Sequence, residues 1–211
     1  MEILISLENI LESSYAQKVR EWRNQDFVRL QMVNQDIITE EQHRKYLDSL
    51  KGNKNKESFV VVQNHTAPIG VLNFTINYDE NYIEPGTYIV DEALLGKGYG
   101  LILNLVKMEY IFRVMPEGEM RTFVLQSNEY NIQLQKKLGA EIRCHRKMRD
   151  HYGNEKDAVE MFITKEMWDQ ERQKVIKLCQ VFIAHLKKVP KSEVNVMDHI
   201  LFPERKETIR A

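Results

Sequence analysis

Short apolar runs punctuated by turn residues fill the chain up to about residue 164, and one long helical stripe follows. Ile3-Leu4-Ile5 with Leu7 predicts a first strand. Ser13 and Ser14 are placed to cap a helix reaching Arg23 or Asn24, with Val19, Trp22 and Phe27 on its core-like face. Thr39-Glu40-Glu41-Gln42 matches a capping box, and Tyr46, Leu47 and Leu50 follow at helical spacing. Past a charged loop at 52–56, residues 58–62 and 69–78 read as strands joined by a turn at 64–68, a β-hairpin. Residues 79–85 read as a loop, 87–90 as a strand and 101–113 as a helix. Pro116-Glu117-Gly118 breaks the chain. A strand at 121–125, a helix at 129–138 closed by Gly139 at a C-cap site, and a last hairpin of 141–148 and 158–164 complete this part.

The order β-α-α-β-β-β-α-β-α-β-β predicts an α/β (α+β) fold, a mixed sheet with helices on both faces. From Lys165 the pattern changes. Trp168, Val175, Leu178, Phe182 and Leu186 mark an amphipathic helix that Pro190 stops; an apolar cluster at 194–202 and a charged tail at 203–211 follow. Residues 1–164 are therefore expected to form one domain. Residues 165–211 form a helical extension that packs on it or on a partner copy, as a homodimer would require.

The bulk numbers narrow the function. Thirty basic and 31 acidic residues give 211 residues a net charge of -1, which argues against a general nucleic-acid binder. No apolar run is long enough to span a membrane. The first eight residues carry no basic stretch and only a short apolar core, so no signal peptide is expected and a cytoplasmic location is. Cys144 and Cys179 make neither a disulfide framework nor a metal quartet, and His145 and His151 lack ligand partners at useful spacing; no metal is expected.

The chemistry sits in Leu95-Gly96-Lys97-Gly98-Tyr99-Gly100. Glycines between a strand and a helix let the backbone close around a bulky anion, and the first N–H groups of a helix have no intrahelical partner. The run is not a dinucleotide fingerprint: its spacing is G-x-G-x-G, several strands precede it, and no acid follows at the right distance. Nor is it a Walker A loop, because Lys97 lacks the preceding G-x-x-x-x-G and a following Ser or Thr. A plain strand-to-helix turn is the bland alternative.

This loop resembles the pyrophosphate loop of the GCN5-related N-acetyltransferase family, R/Q-x-x-G-x-G/A, with Leu95 where Arg or Gln is usual. Asn128-Glu129-Tyr130-Asn131-Ile132-Gln133-Leu134-Gln135-Lys136-Lys137-Leu138-Gly139-Ala140 is similar to its second signature, N-x-x-A-I-x-L-Y-x-K-x-G-F. The likeness covers about residues 1–164 and implies that family's fold, in which the fourth and fifth strands splay. Glu21-Trp22-Arg23-Asn24, Met32, His43 and Ile69-Gly70-Val71 resemble most the pseudaminic-acid-pathway members, which acetylate a nucleotide-linked amino sugar.

The resemblance implies acetyl-CoA as donor, held by backbone amides of Leu95, Gly96, Lys97, Gly98, Tyr99, Gly100 and Leu101. Val90 would pair its backbone with the pantetheine arm, as in β-augmentation, and Asn128 would lie beside the cofactor. Direct transfer needs a neutral amine, donors for the thioester oxyanion and an acid for the leaving thiolate. The family's usual acid is a Tyr at the position of Gln135, which cannot titrate. Water, Tyr130 or another group must replace it, or the protein is a CoA-binding regulatory module without activity. On the acceptor side stand Arg23 as an anion fork, His43 as base or hydrogen-bonding group, Asn73 and Thr75 on the polar face of their strand, Tyr88, and Asp91 as a water-relayed base. The expected acceptor is a small-molecule primary amine; a protein N-terminus or an antibiotic amine is the alternative.

Overall fold

Alternation in the first strand sets the sheet. In β1 (Ile5–Asn9) Ile5 and Leu7 are buried and their neighbours half-covered, so the two faces are marked from the start. The computed structural model describes residues 3–203. Among these, eight strands form one mixed sheet: β1, β2 (Lys56–Gln63), β3 (Ala67–Asn77), β4 (Tyr82–Ile89), β5 (Glu119–Leu125), β6 (Glu141–Arg149), β7 (Glu155–Thr164) and β8 (Ile200–Leu201). Their spatial order is β6-β7-β5-β4-β3-β2-β1-β8.

Residues opposite one another on paired strands share a face. Phe59, Leu72, Phe74 and Ile76 face α4 (Tyr99–Val114), α5 (Glu129–Lys137) and α6 (Lys165–Lys187), and form one core with them. Val60, Val62, Val71 and Tyr88 face α1 (Lys18–Asn24), α2 (Asp26–Arg29) and α3 (Glu40–Leu50), and form a smaller one.

The sheet is split in the middle. β4 and β5 run parallel but pair only at Tyr82↔Glu119 and Ile83↔Met120. Beyond that point β4 follows β3 as far as Ile89, while β5 follows β7 along its whole length. Pro85, Gly86, Thr87 and Ile89 are half-exposed in a strand that is central in the sheet order, which marks the opening. The wedge between the parallel strands widens toward the glycine run.

Several expectations shift at their edges. The first helix begins at Lys18, because Ser13 closes a turn instead: its Oγ donates to Glu8 Oε2 at 2.9 Å and accepts from the Tyr15 N–H. β4 starts at Tyr82, inside the segment read as a loop on account of Pro85. The ladder explains this proline. Val90 N donates to Ile69 O, so even-numbered residues of β4 turn their backbone groups to β3 and odd-numbered ones to the gap, where a missing N–H costs no ladder bond. α2 and β8 are short elements that periodicity did not reveal.

The C-terminal extension packs on its own chain. Trp168, Val175, Cys179 and Ile183 of α6 join the core beneath α4. Glu109 of α4 accepts from Trp168 Nε1 at 3.1 Å and takes both Nε and Nη2 of Arg172, at 2.7 and 2.9 Å. The chain then crosses to the far edge, where β8 lies parallel to β1. The charged tail read at 203–211 lies, apart from Pro203, outside the described residues. Among the described residues no helix is long and apolar enough to cross a membrane.

Candidate active site

The glycine run stands at the wide end of the split. Gly96 and Gly98 hold φ of 71° and 89°, a region that L side chains avoid, and Gly98 is the N-cap of α4. A Cβ on Gly98 would lie 2.5 Å from the ring of Phe182 of α6, whereas one on Gly96 would meet open space. Within the loop, the N–H groups of Leu95, Lys97 and Leu101 are engaged, donating to Glu92 O, Leu94 O and Gly98 O. Donors for an anion are therefore Gly96, Gly98, Tyr99 and Gly100, narrower than the expected run of seven amides. Val90 is also corrected. Its N–H serves Ile69, and its carbonyl accepts from Gln25 Nε2 at 2.8 Å. Alternation gives the edge facing the split to Ile89 instead.

Other groups fit a linear polar ligand in the split. The Thr87 hydroxyl, across from Leu72 and hence on the α4 side of β4, is buried without a hydrogen-bond partner. An orphaned hydroxyl inside a protein normally marks a missing ligand or water. Asn128 is the N-cap of α5 on the opposite bank, where its Oδ1 accepts from Asn131 N at 3.2 Å.

Beneath the split lies a buried polar network. Asn104 Nδ2 donates to Gly100 O at 2.7 Å, and Lys107 Nζ donates to Asn104 Oδ1 at 2.6 Å and to Gln135 Oε1 at 3.3 Å. Gln135 Nε2 donates to Asn131 Oδ1 at 3.0 Å and to Asn104 Oδ1 at 3.3 Å. Burial alone pushes the Lys107 ammonium down to about 7. Gln135, 4% exposed, is thus tied into this network by Lys107, Asn104 and Asn131. Tyr130 is 78% exposed on the outside of α5 and is no substitute acid.

On the other face, side chains converge on Asn73. Its Oδ1 accepts from Ser58 Oγ at 2.6 Å and Tyr46 Oη at 3.0 Å. Gly86 stands opposite Asn73, and even a Cβ there would sit 3.6 Å from Asn73 Nδ2, so the amide nitrogen is uncovered toward β4. Flanking Gly86 on the same face are Glu84 and Tyr88. Burial raises the Glu84 carboxyl above the ordinary carboxylate range, against the pull of Arg121. Burial also raises the phenols of Tyr88 and Tyr46, which therefore stay neutral. Thr75 lies opposite Glu84 and is exposed.

Arg23 closes this face. Burial lowers its pKa, the nearby Tyr88 works against that, and Arg29 is close enough to lower it further. One nitrogen, Nη2, donates to Asn34 O at 2.9 Å; the other, Nη1, is buried with no partner. The Asn34 loop is held from above by the β6–β7 turn, where the His151 N–H donates to Asn34 Oδ1 at 2.9 Å and His151 Nε2 lies 3.0 Å from Asp36.

Two expected acceptor groups belong elsewhere. His43 is 4% exposed and ties Nε2 to Ala16 O at 2.8 Å, fastening α3 to the segment before α1. Asp91 caps the short 3-10 turn after β4, accepting from Ala93 N at 2.8 Å, and is exposed. Sequence reading missed Tyr46 and Ser58, taken for core and strand, Glu84, hidden in the supposed loop, and the pair Asn104 and Lys107. That last pair had a signal: two amide-and-amine side chains inside the apolar run Leu101-Ile102-Leu103-Asn104-Leu105-Val106-Lys107-Met108. Among the described residues no group of His, Cys, Asp and Glu is arranged to hold a metal.

Known proteins share this fold. A model of the Acetyltransferase (GNAT) family matches residues 16–140. No curated protein sequence matches the chain. Among solved structures, spermidine N-acetyltransferase from Vibrio cholerae in complex with CoA and spermine superposes with a TM-score of 0.69 at 17% identity, over 78% of this chain and 97% of that one. The Campylobacter jejuni N-acetyltransferase PseH in complex with acetyl coenzyme A gives 0.55 at 23% identity, over 77% and 99%. A putative acetyltransferase from T. thermophilus gives 0.64 at 18%, over 83% and 95%. With the family model spanning both the glycine loop and the α5 signature, the chain belongs to the GNAT family and is an acetyl-CoA-dependent N-acetyltransferase.

Proposed function

We propose that this enzyme acetylates the primary amine of a small anionic acceptor in the cytoplasm, with a nucleotide-linked amino sugar as the first choice. The observation that carries the reading is Arg23 Nη1, a buried guanidinium nitrogen with no partner beside Tyr88. An unpaired buried charge is costly, and a phosphate or carboxylate of the substrate removes that cost. A polycation such as spermine would meet like charge there.

The residues divide the work. Gly96, Gly98, Tyr99 and Gly100 offer N–H groups to the pyrophosphate, Thr87 and Ile89 line the path of the arm, and Asn128 flanks it. The acetyl group reaches the face of Asn73, whose Nδ2–H donates to the thioester oxygen as charge develops there. The amine sits over Gly86 between Glu84 and Tyr88. Glu84, kept basic enough by its raised pKa, takes the amine proton through a water. Thr75 extends the polar wall.

Free-thiol release from acetyl-CoA, measured with a nucleotide-linked amino sugar, spermidine, an aminoglycoside and a peptide N-terminus, tests the assignment. The amino sugar is expected to be turned over fastest. Arg23→Met should raise its KM about tenfold or more, as loss of a charged hydrogen bond does, with the KM for acetyl-CoA unchanged. Faster turnover of spermidine or of the peptide overturns the anionic-acceptor reading. Binding of acetyl-CoA without thiol release for any amine favours a regulatory module.

A further inference from the structure

Lys107 is a group in the site whose presence the donor and acceptor contacts do not require. It is 2% exposed, it lies on a helix that is otherwise apolar there, and its hydrogen bonds go to amide oxygens of Asn104 and Gln135. Among the described residues no carboxylate pairs with it, and no neighbouring charge contributes to its lowered pKa. The groups around it are neutral. On α4 the polar neighbour is Asn104, and on α5 Gln135, backed by Asn131. The same face of β4 carries Ile83, Thr87 and Ile89, and that of β5 carries Met120 and Val124. A buried amine with no counterion is expensive to keep in a core.

Its position in the fold is specific. Leu103 of α4 presses on Gly70 of β3, and Gly100 faces Ile89 of β4. Lys107 lies one turn beyond Leu103 and two beyond Gly100, on the sheet-facing side of the helix. Its Nζ reaches Gln135 of α5, the helix that packs on β5. The amine therefore stands below the line along which β4 and β5 diverge, on the same side as the orphaned Thr87 hydroxyl.

We propose that Lys107 is the catalytic acid that protonates the departing CoA thiolate from the floor of the split. Attack by the neutral amine forms the C–N bond; the C–S bond breaks and its electron pair stays on sulfur. Lys107 Nζ–H gives its proton to that sulfur, which leaves as the thiol, and Lys107 becomes a neutral amine. The proton shed by the acetylated nitrogen passes through water and Glu84 to solvent, from which Lys107 is recharged, so each cycle conserves protons. The thiolate of a thiol with pKa about 8.5 accepts a proton readily from an ammonium near 7. The two amides hold the ammonium without a carboxylate, which would raise its pKa and weaken it as an acid. The inference rests on acetyl-CoA lying in the split and is independent of the acceptor.

Three measurements test it. In the wild-type protein, the Lys107 Cε resonance is titrated alone, with CoA and with desulfo-CoA. CoA is expected to move the titration and desulfo-CoA to leave it near that of the free protein. Equal effects of the two ligands overturn the proposal. Failure of either to bind at the glycine loop condemns instead the placement of the donor. In Lys107→Met, the ultraviolet absorbance of the bound CoA thiolate should show the thiol pKa rising by about one unit relative to wild type. There kcat should fall about 100-fold with the KM for acetyl-CoA held. Lys107→Gln replaces Lys107→Met if the latter does not fold. An unchanged thiol pKa with either variant, or an unchanged kcat, sinks the acid role.

Discussion

In the proposed reaction the two faces of the sheet carry the two halves of the chemistry on different kinds of architecture. On the α4–α6 face, the proposed pyrophosphate contacts are backbone groups set on a continuous apolar core running from Ile3 through α4 to Ile183. On the α1–α3 face, the core is smaller, and the proposed acceptor contacts are side chains: Arg23, Tyr46, Ser58, Asn73, Glu84 and Tyr88. Backbone donors recognise what all substrates of such an enzyme share, the pyrophosphate, and need a rigid support. Side chains recognise what differs, the acceptor, and can change without disturbing the sheet. Damage to the glycine loop should therefore appear as lost donor binding, and damage on the second face as lost turnover or altered acceptor choice.

The glycine loop is the place to break the donor side. Gly98→Val forces a β-branched residue into φ of 89° and drives its side chain into Phe182. Acetyl-CoA affinity should fall by about 100-fold or more, corresponding to ~3 kcal/mol of strain and lost N–H geometry. Gly96→Ala shares the positive φ but meets no atom, so calorimetry should show it losing about tenfold or less. Equal losses would mean that Phe182 does not brace the loop.

On the acceptor face, Asn73→Ala and Glu84→Gln should each lower kcat by roughly 30- to 100-fold with the KM for acetyl-CoA unchanged. They differ in pH behaviour. A carboxyl raised above its ordinary value gives an acid limb in kcat, with rate rising as Glu84 ionises. Glu84→Gln should remove that limb and Asn73→Ala should keep it. A limb that survives in Glu84→Gln assigns the base to another group.

The same contrast governs what the sequence made legible. The donor side was readable because its chemistry is local: a strand, three alternating glycines and a helix adjoin in the chain. Even so, the resemblance implied seven amides, and three of them, those of Leu95, Lys97 and Leu101, are taken by turn bonds to residues three positions earlier. The acceptor side is assembled across the chain. Tyr46, Ser58, Asn73 and Gly86 come from four elements, and nothing in their spacing says that they meet. Pro85 misdirected the reading of β4 and hid Glu84, because a proline tolerated at an unpaired strand edge looks like a loop until the split is known. His43 had suitable chemistry and a helical setting, but its ring is spent on Ala16.

Lys107 also bears on stability. Its pKa in the fold, about 7, is below the value of about 10.4 for an exposed lysine, so the folded protein binds fewer protons than the unfolded chain between those limits. Stability should therefore rise as pH climbs from 7 toward 10 and should carry the full penalty of the buried charge below 7. Lys107→Met should remove this slope and stabilise the fold at neutral pH by about 1 to 4 kcal/mol, read by urea unfolding across the pH range. A variant that gains stability while losing kcat separates a functional lysine from a structural one.

The smallest effect should come from His43, which sits on the acceptor face yet outside its chemistry. Its ring nitrogen holds the Ala16 carbonyl and so fixes how α3 meets the start of α1. His43→Ala removes that bond and empties a buried site, which should lower the unfolding free energy by about 1 to 2 kcal/mol. Neither kcat, nor the KM for acetyl-CoA, nor the pH profile should change, because Asn73, Tyr46 and Ser58 bond to one another without it. A pH profile altered in His43→Ala would instead give the acceptor face a histidine base and take that role from Glu84. The distinction between a face that supports and a face that reacts would then have to be redrawn within α3, one turn from Tyr46.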